Sequence, residues 1–300
     1  MELKIFLQQK QVAEDLQEIF LDLVNIGKQI KKEIQQYNQE KTVMKNSSGD
    51  MQMALDRHAD EIALEYFKRK KSIIHYASEE QEEVISVNNH AKYSIALDPL
   101  DGSSLINVNF AVGTIAAIHE GSIIPERRNI VAALYLLYGP LTTLVIAPGD
   151  GKGVHEFLLQ ENGEFIRVKE NITFKERGKT YSTGGERASW SSEHSNYILR
   201  LEQEGYKLRY SGCFVADANL ILLKNGGIFT YPKTRNAPQG KLRVCYELEP
   251  LAFIFIEAGG AGIDGKDTFI NRPLQSIHEK APAYLGSKYE VEFARKMLNE

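Results

Sequence analysis

Between Ser72 and Ala147 five apolar segments follow one another: SIIHYAS (Ser72–Ser78), YSIALD (Tyr93–Asp98), VGTIAAIHE (Val112–Glu120), IVAALYLLYG (Ile130–Gly139) and LTTLVIA (Leu141–Ala147). They are rich in β-branched and aromatic residues and bounded by helix- and strand-breaking residues, the pattern of strands. Consecutive strands of this kind imply a large mixed sheet. Such a sheet needs cover, and the N-terminal region offers it. Apolar residues at Val12, Leu16, Ile19, Phe20, Leu23, Ile26, Ile30 and Ile34 keep the 3.6-residue rhythm of one long amphipathic helix. KNSSGD (Lys45–Asp50) reads as a loop, because Asn, Ser and Gly disfavour regular structure, and a second helix is expected near Leu55–Lys70.

Asn162 and Gly163 mark a hairpin. Beyond Lys175 strands and helices alternate: a helix near Ser191–Glu204, another over Cys213–Leu223, the strand GIFTY (Gly227–Tyr231), then a helix starting near Glu247. This pattern predicts an α/β chain, or layered α+β, of alternating helix and sheet layers in two packed subdomains, 1–175 and 176–300. With 300 residues, 43% of them hydrophobic, the chain can bury a core of that size.

The 36 basic and 40 acidic residues leave a formal charge of −4, so no whole-chain field draws it to nucleic acid or an anionic membrane. Nor does any Lys/Arg stripe interleave with aromatics as a nucleic-acid surface requires. An anionic ligand must therefore meet locally placed cations. The segment MELKIFLQQKQVAEDL lacks a signal-peptide apolar core, and no stretch approaches the ~20 apolar residues of a membrane span. The expectation is a cytoplasmic protein. Two cysteines, Cys213 and Cys245, are too few for a disulfide framework or a structural zinc cluster.

The segment that carries chemistry is Asp98-Pro99-Leu100-Asp101-Gly102-Ser103-Ser104. Pro99 disfavours helix at Asp98 and Gly102 permits a turn, so two carboxylates can converge just past a strand end and face one cation. Magnesium wants oxygen ligands in octahedral geometry and shares its shell with phosphate oxygens. Gly102-Ser103-Ser104 offers N–H groups and hydroxyls for the remaining phosphate oxygens. Each acid also has an ordinary alternative. D-x-x-D-G is common in solvent turns, Glu79 and Glu80 fit a solvated strand end, Asp50 or Asp56 fits a helix cap, and Glu247 fits a helix N-terminus. Together the acids also fit a calcium-binding regulatory module without catalysis.

Taken as an ordered set, SGDMQMALD (Ser48–Asp56), ASEE (Ala77–Glu80), LDPLDGSS (Leu97–Ser104), VGTI (Val112–Ile115), RYSG (Arg209–Gly212), GGIFTYP (Gly226–Pro232) and GKLRVCYE (Gly240–Glu247) resemble the class 1 fructose-1,6-bisphosphatase family, within the inositol monophosphatase-like superfamily. The resemblance implies hydrolysis of fructose 1,6-bisphosphate, as in gluconeogenesis, by metal-activated water. Sedoheptulose-1,7-bisphosphatase and inositol-phosphate phosphatases are the related alternatives. It implies two or three Mg2+ ions, with Mn2+ as a substitute. Their ligands would be Glu79, Asp98, Asp101, Glu247 and the Leu100 carbonyl, with Asp50, Asp56 and Glu80 as catalytic acids. The 1-phosphate would lie against Asp101, Gly102, Ser103, Ser104 and Arg243. The sugar and its second phosphate would lie against Tyr210, Phe229, Thr230, Tyr231 and Lys241, with Arg209 reaching a neighbouring subunit in a homo-oligomer, a dimer or tetramer. Residues 1–175 would be the metal-binding subdomain and 176–300 the sugar-phosphate-binding one.

Two departures from the pattern stand out. Gly184 occupies a position where relatives place an asparagine at the second phosphate. Lys92 and Tyr93 match part of the AMP site of relatives, but Glu120 replaces an arginine there, and Gln11-Val12-Ala13-Glu14 replaces the usual Thr-Gly-Glu helix start. Weak or absent AMP inhibition is the expectation unless Arg127 or Arg128 compensates.

Overall fold

The structure, a computed structural model, describes residues 1–40, 48–123 and 129–299, with side chains over 37–53 excepted. Arg127, Arg128, Lys45–Ser47 of the expected loop and the side chain of Asp50 lie outside the described residues.

Three helices open the chain: α1 (Leu3–Gln9), α2 (Glu14–Glu40) and α3 (Ser48–Phe67). The long periodic helix is therefore α2, α1 is an addition to the sequence reading, and Ser48–Asp50 is the first turn of α3 rather than loop. An eight-stranded sheet follows: β1 (Ile73–Ser78), β2 (Ile85–Ser86), β3 (Tyr93–Asp101), β4 (Val112–Glu120), β5 (Ile130–Tyr138), β6 (Thr142–Ala147), β7 (His155–Leu159) and β8 (Phe165–Lys169). Its order is β2-β1-β3-β4-β5-β6-β7-β8. β1 and β3 are parallel and the remaining pairs antiparallel. The predicted hairpin at Asn162–Gly163 joins β7 to β8.

The second half holds a five-stranded sheet of β9 (Thr180–Thr183), β10 (Lys207–Leu208), β11 (Ile228–Tyr231), β13 (Ala261–Ile263) and β15 (Ala283–Gly286), ordered β10-β9-β11-β15-β13. A small ribbon pairs β12 (Leu242–Arg243) with β14 (Lys280–Ala281). The helices are α4 (Ser192–Gln203), α5 (Phe214–Leu223), α6 (Glu249–Glu257) and α7 (Lys288–Asn299). Where a helix was expected to start near Glu247, a π-helical turn, Val244–Leu248, precedes α6.

Burial explains why antiparallel strands read as unbroken apolar runs. One face of the large sheet, with Leu97, Ala116, Ile118 and Leu134, packs under α1, α2 and α3. The other, with Ala96, Ile115, Ala117 and Tyr135, packs on α5 and α6. Those helices in turn meet one face of the smaller sheet through Phe229 and Leu285. Its outer face, with Tyr181, Ile228 and Tyr284, is covered by Tyr197 and Leu201 of α4 and Val291 of α7. The layers thus alternate helix, sheet, helix, sheet, helix. A sheet covered on both faces needs apolar side chains on both, and the polar half of the usual alternation disappears.

At the end of β3 the ladder with β4 is irregular. Asp98 pairs with Ile115 and Asp101 with Gly113, so three steps on β3 oppose two on β4, as in a β-bulge. Gly113 leaves no room for a side chain, since a Cβ there would lie 2.3 Å from the Leu136 carbonyl oxygen and 2.7 Å from Val215 Cγ1. Gly113→Ala is therefore expected to spread the sheet opposite Asp101 and destabilise the fold by about 1–3 kcal/mol, the usual cost of overpacking. An unchanged urea midpoint would contradict this packing account.

Candidate active site

The bulge decides where the first two acids go. Asp98 and Asp101 are the last acids of a strand buried along its whole length, inside its end rather than in a free turn beyond it. The Leu100 N–H donates to Asp98 Oδ1 at 3.0 Å, which turns the strand at Pro99. The Val215 N–H, at 2.6 Å, and the Cys213 thiol, at 3.2 Å, donate to Asp101 Oδ2. Gly102, at φ +80°, then leads into the 3-10 turn Ser103–Val108.

Glu247 arrives from the opposite side. The extra residue of the π turn aims it inward, and the Arg243 N–H donates to its Oε2 at 2.6 Å; such turns are frequent at functional sites. One carboxylate oxygen from each of Asp98, Asp101 and Glu247 lies within 4.8 Å of the other two, and all three residues are buried. Glu79 and Glu80 follow β1, and Glu79 forms an ion pair with Arg243. Asp56 reaches in from α3, its Oδ2 accepting from the Ser103 hydroxyl at 3.1 Å, while its buried Oδ1 has no hydrogen-bond partner among the described residues.

These acids and the predicted cations line one cleft of about 290 Å3. It takes in Asp56, Glu79, Glu80, Asp98, Leu100, Asp101 and Glu247 together with Gly102, Ser103, Ser104, Tyr210, Phe229, Tyr231, Lys241 and Arg243. One expected contact lies elsewhere. Thr230 is fully buried and its hydroxyl donates to the Ser182 carbonyl at 3.3 Å, because along β11 it faces away from the cleft that Phe229 and Tyr231 line. The Arg209 guanidinium is exposed and donates to the Leu208 carbonyl at 2.7 Å. Conversely, Asp217 and Phe214 of α5 line the cleft without having been singled out. Asp217 Oδ1 accepts the Ser211 N–H at 2.8 Å and so shapes the loop that carries Tyr210.

Gly184 has a geometric reason. A Cβ there would sit 2.3 Å from two ring carbons of Tyr231 and 3.0 Å from the Tyr210 hydroxyl, so the two phenols lean on bare backbone. The Lys241 ammonium lies 5.5 Å from the Tyr231 ring centre, within cation–π reach. Behind this end, the Trp190 indole N–H donates to the Gly184 carbonyl at 3.0 Å.

Electrostatically the acid end is under load. Burial, then Glu79 and Asp101, hold Asp98 well above the carboxylate range. Burial raises Asp101 as well, and burial with Glu79 raises Glu247. Burial and then Glu79 raise Glu80, and burial raises Asp56 from 3.8 to about 7. Converging buried carboxylates that repel one another are the donor set of a hard divalent cation, so these residues fit a metal.

The comparisons agree with this chemistry. Residues 2–170 match the family described as Fructose-1-6-bisphosphatase, N-terminal domain, and residues 174–299 its C-terminal domain. The chain belongs to the fructose-1,6-bisphosphatase family. It is 43% identical over 288 residues to the class 1 fructose-1,6-bisphosphatase of Campylobacter concisus, covering 96% of this chain and 99% of the relative. With the Campylobacter hominis enzyme it shares 44% over 278 residues, 92% and 98% of the two chains. The holo crystal structure of Leishmania major fructose-1,6-bisphosphatase superposes with a TM-score of 0.89 at 28% identity, covering 100% of this chain and 99% of that one. The family is metal-dependent, in keeping with the acid cluster.

The raised acids predict a pH dependence for metal-free protein. A carboxyl with a raised folded-state pKa binds its proton more tightly folded than unfolded, so its stabilising effect is complete below the unfolded value and lost as pH rises through the folded one. For Asp56 that window runs from 3.8 to about 7, and the other raised acids act in the same direction. EDTA-treated protein is expected to lose melting temperature as pH rises through this window, and divalent cation to restore the loss at high pH. A melting temperature independent of cation at high pH would contradict it.

Proposed function

We propose that this chain hydrolyses fructose 1,6-bisphosphate to fructose 6-phosphate and inorganic phosphate, with magnesium held by Asp98, Asp101, Glu247, Glu79 and the Leu100 carbonyl. The observation that carries the reading is the cleft itself, with a buried carboxylate cluster and the Glu79-paired Arg243 on one part of its lining and Lys241 and two phenols on another. That polarity matches a phosphate ester whose reacting phosphate needs charge neutralisation and whose sugar carries a second anion. Bound to the carboxylates, divalent cations would supply Lewis acidity and neutralise charge on the attacking and leaving oxygens.

The chain's own groups do the rest. Ser103, Ser104 and Arg243 orient the reacting phosphate, and Arg243 exchanges its Glu79 partner for a phosphate oxygen as substrate enters. Glu80 and Asp56, with raised proton affinities, accept the proton of the attacking water. Attack is in line and leaves no phosphoenzyme. Tyr210, Tyr231 and Lys241 hold the far phosphate, and the family resemblance makes Asp50 a further catalytic acid. Two or three magnesium ions, with manganese as substitute, suit the number of acids. We further read residues 1–175 as the metal-binding subdomain and 176–300 as the sugar-phosphate-binding one. A cytoplasmic homo-oligomer, dimer or tetramer, fits the reading: the outward-facing Arg209 would serve a neighbouring copy, and no described helix is long and apolar enough to cross a membrane.

Phosphate release from a panel of sugar bisphosphates, inositol phosphates and nucleotides with magnesium tests the assignment, and fructose 1,6-bisphosphate is expected to give the highest kcat/KM. Asp98→Asn, nearly isosteric but uncharged, should keep the fold and nearly abolish turnover; near-normal activity would refute the metal site. AMP is expected to inhibit weakly. Lys92 is paired with Glu120 at 3.1 Å and its ammonium lies 5.0 Å from the Tyr93 ring centre, so the cation is engaged and a carboxylate stands beside it. Each lost charge-assisted contact to the nucleotide phosphate costs about 1.5–3 kcal/mol, at least tenfold in affinity. Half-inhibition by AMP in the low micromolar range at saturating magnesium would overturn this.

A further inference from the structure

The acids of the cleft come from elements far apart in sequence, and one buried contact outside the cleft ties three of those elements together. Asp60 lies on α3 one turn beyond Asp56, so both side chains fall on the same side of the helix. It is 2% exposed and does not line the cleft. Its Oδ1 accepts from the hydroxyl of Tyr76, a fully buried residue of β1, at 2.6 Å. Its Oδ2 accepts from the side-chain amide of Gln81, the residue directly after Glu79 and Glu80. The Gln81 carbonyl in turn accepts from His278 Nε2 at 2.8 Å. The His278 ring packs 5.7 Å from that of Tyr246, the neighbour of Glu247 in the π turn.

We infer that Asp60 is a positioning residue for the hydrolysis, its carboxylate clamping α3 to the end of β1 through Tyr76 and Gln81 so that Asp56 and Glu80 face each other across the attacking water. This rests on the function proposed above. Both Asp60 oxygens are engaged, so the carboxylate is held out of the cleft and does not compete for its cations. A fixed backbone at Gln81 fixes Glu79 and Glu80, and displacements of about 1 Å in such groups cost on the order of a hundredfold in rate. The clamp touches neither sugar nor phosphate, so substrate affinity should not depend on it.

The test exploits the chemistry of the pair, an acceptor on α3 and an amide donor after β1, which an exchange of groups preserves. Gln81→Glu sets a carboxylate against a carboxylate, whereas Asp60→Asn alone is permissive, because an amide keeps one acceptor and one donor and can still satisfy both Tyr76 and Gln81. Gln81→Glu is expected to lower kcat at least about tenfold with KM within about twofold of wild type, the signature of misplaced chemistry rather than lost binding. The double variant Asp60→Asn/Gln81→Glu restores donor and acceptor, and the amide carbonyl introduced on α3 can still accept from the Tyr76 hydroxyl. It is expected to recover kcat to within about threefold of wild type. Gln81→Glu with wild-type kcat, a defect confined to KM, or a double variant no better than Gln81→Glu alone would each overturn the inference. Should a single variant fold poorly, its melting temperature shows it and the double variant decides. Wild-type protein without phosphate release would instead refute the function itself, a separable outcome.

Discussion

The structure is organised around a repulsion. Asp98, Asp101 and Glu247 are brought within a few ångströms of one another in a buried place, with Glu79, Glu80 and Asp56 at its edge. Left as anions, such groups oppose the fold that assembles them. The surroundings supply part of what they need: backbone N–H groups of Leu100, Val215 and Arg243, the Cys213 thiol, and the Arg243 guanidinium. A divalent cation held there would supply the remainder. On the function proposed above, stability and chemistry would be coupled through the same oxygens.

That double cover shaped what could be read from sequence. The continuous apolar runs of β3 to β6 were unmistakable, yet they gave no face assignment, because both faces are apolar. Their antiparallel pairing emerges only from the register. Asp98-x-x-Asp101-Gly102 is legible as a turn that makes two carboxylates converge, although its placement inside the strand depends on a bulge that needs β4 opposite it. Glu247 was found through its segment, not through periodicity: a π turn inserts one residue into a helical pattern and leaves no compositional mark.

The misplaced and the missing residues have simple causes. Thr230 sits between Phe229 and Tyr231, and strand alternation sends it to the other face, which the sequence alone permits one to work out once the strand is accepted. Asp217 carried no signal, since an acid in the first turn of a helix has an ordinary dipole explanation. Helix α1 is seven residues long, too short to show a period. The first turn of α3 was hidden by Asn46, Ser47, Ser48 and Gly49, residues that favour loops on average.

Trp190 is the chain's single tryptophan. Its indole donates to the Gly184 carbonyl and stands edge-on to the His194 ring, 4.8 Å between centres, directly behind the backbone on which Tyr210 and Tyr231 rest. The molecule therefore carries one indole fluorophore, and it lies behind the part of the cleft lined by Tyr210 and Tyr231. Its emission is free of contributions from other indoles, and a change in it reports on Gly184 and the two phenols. Any displacement of the two phenols can thus be followed optically without a label.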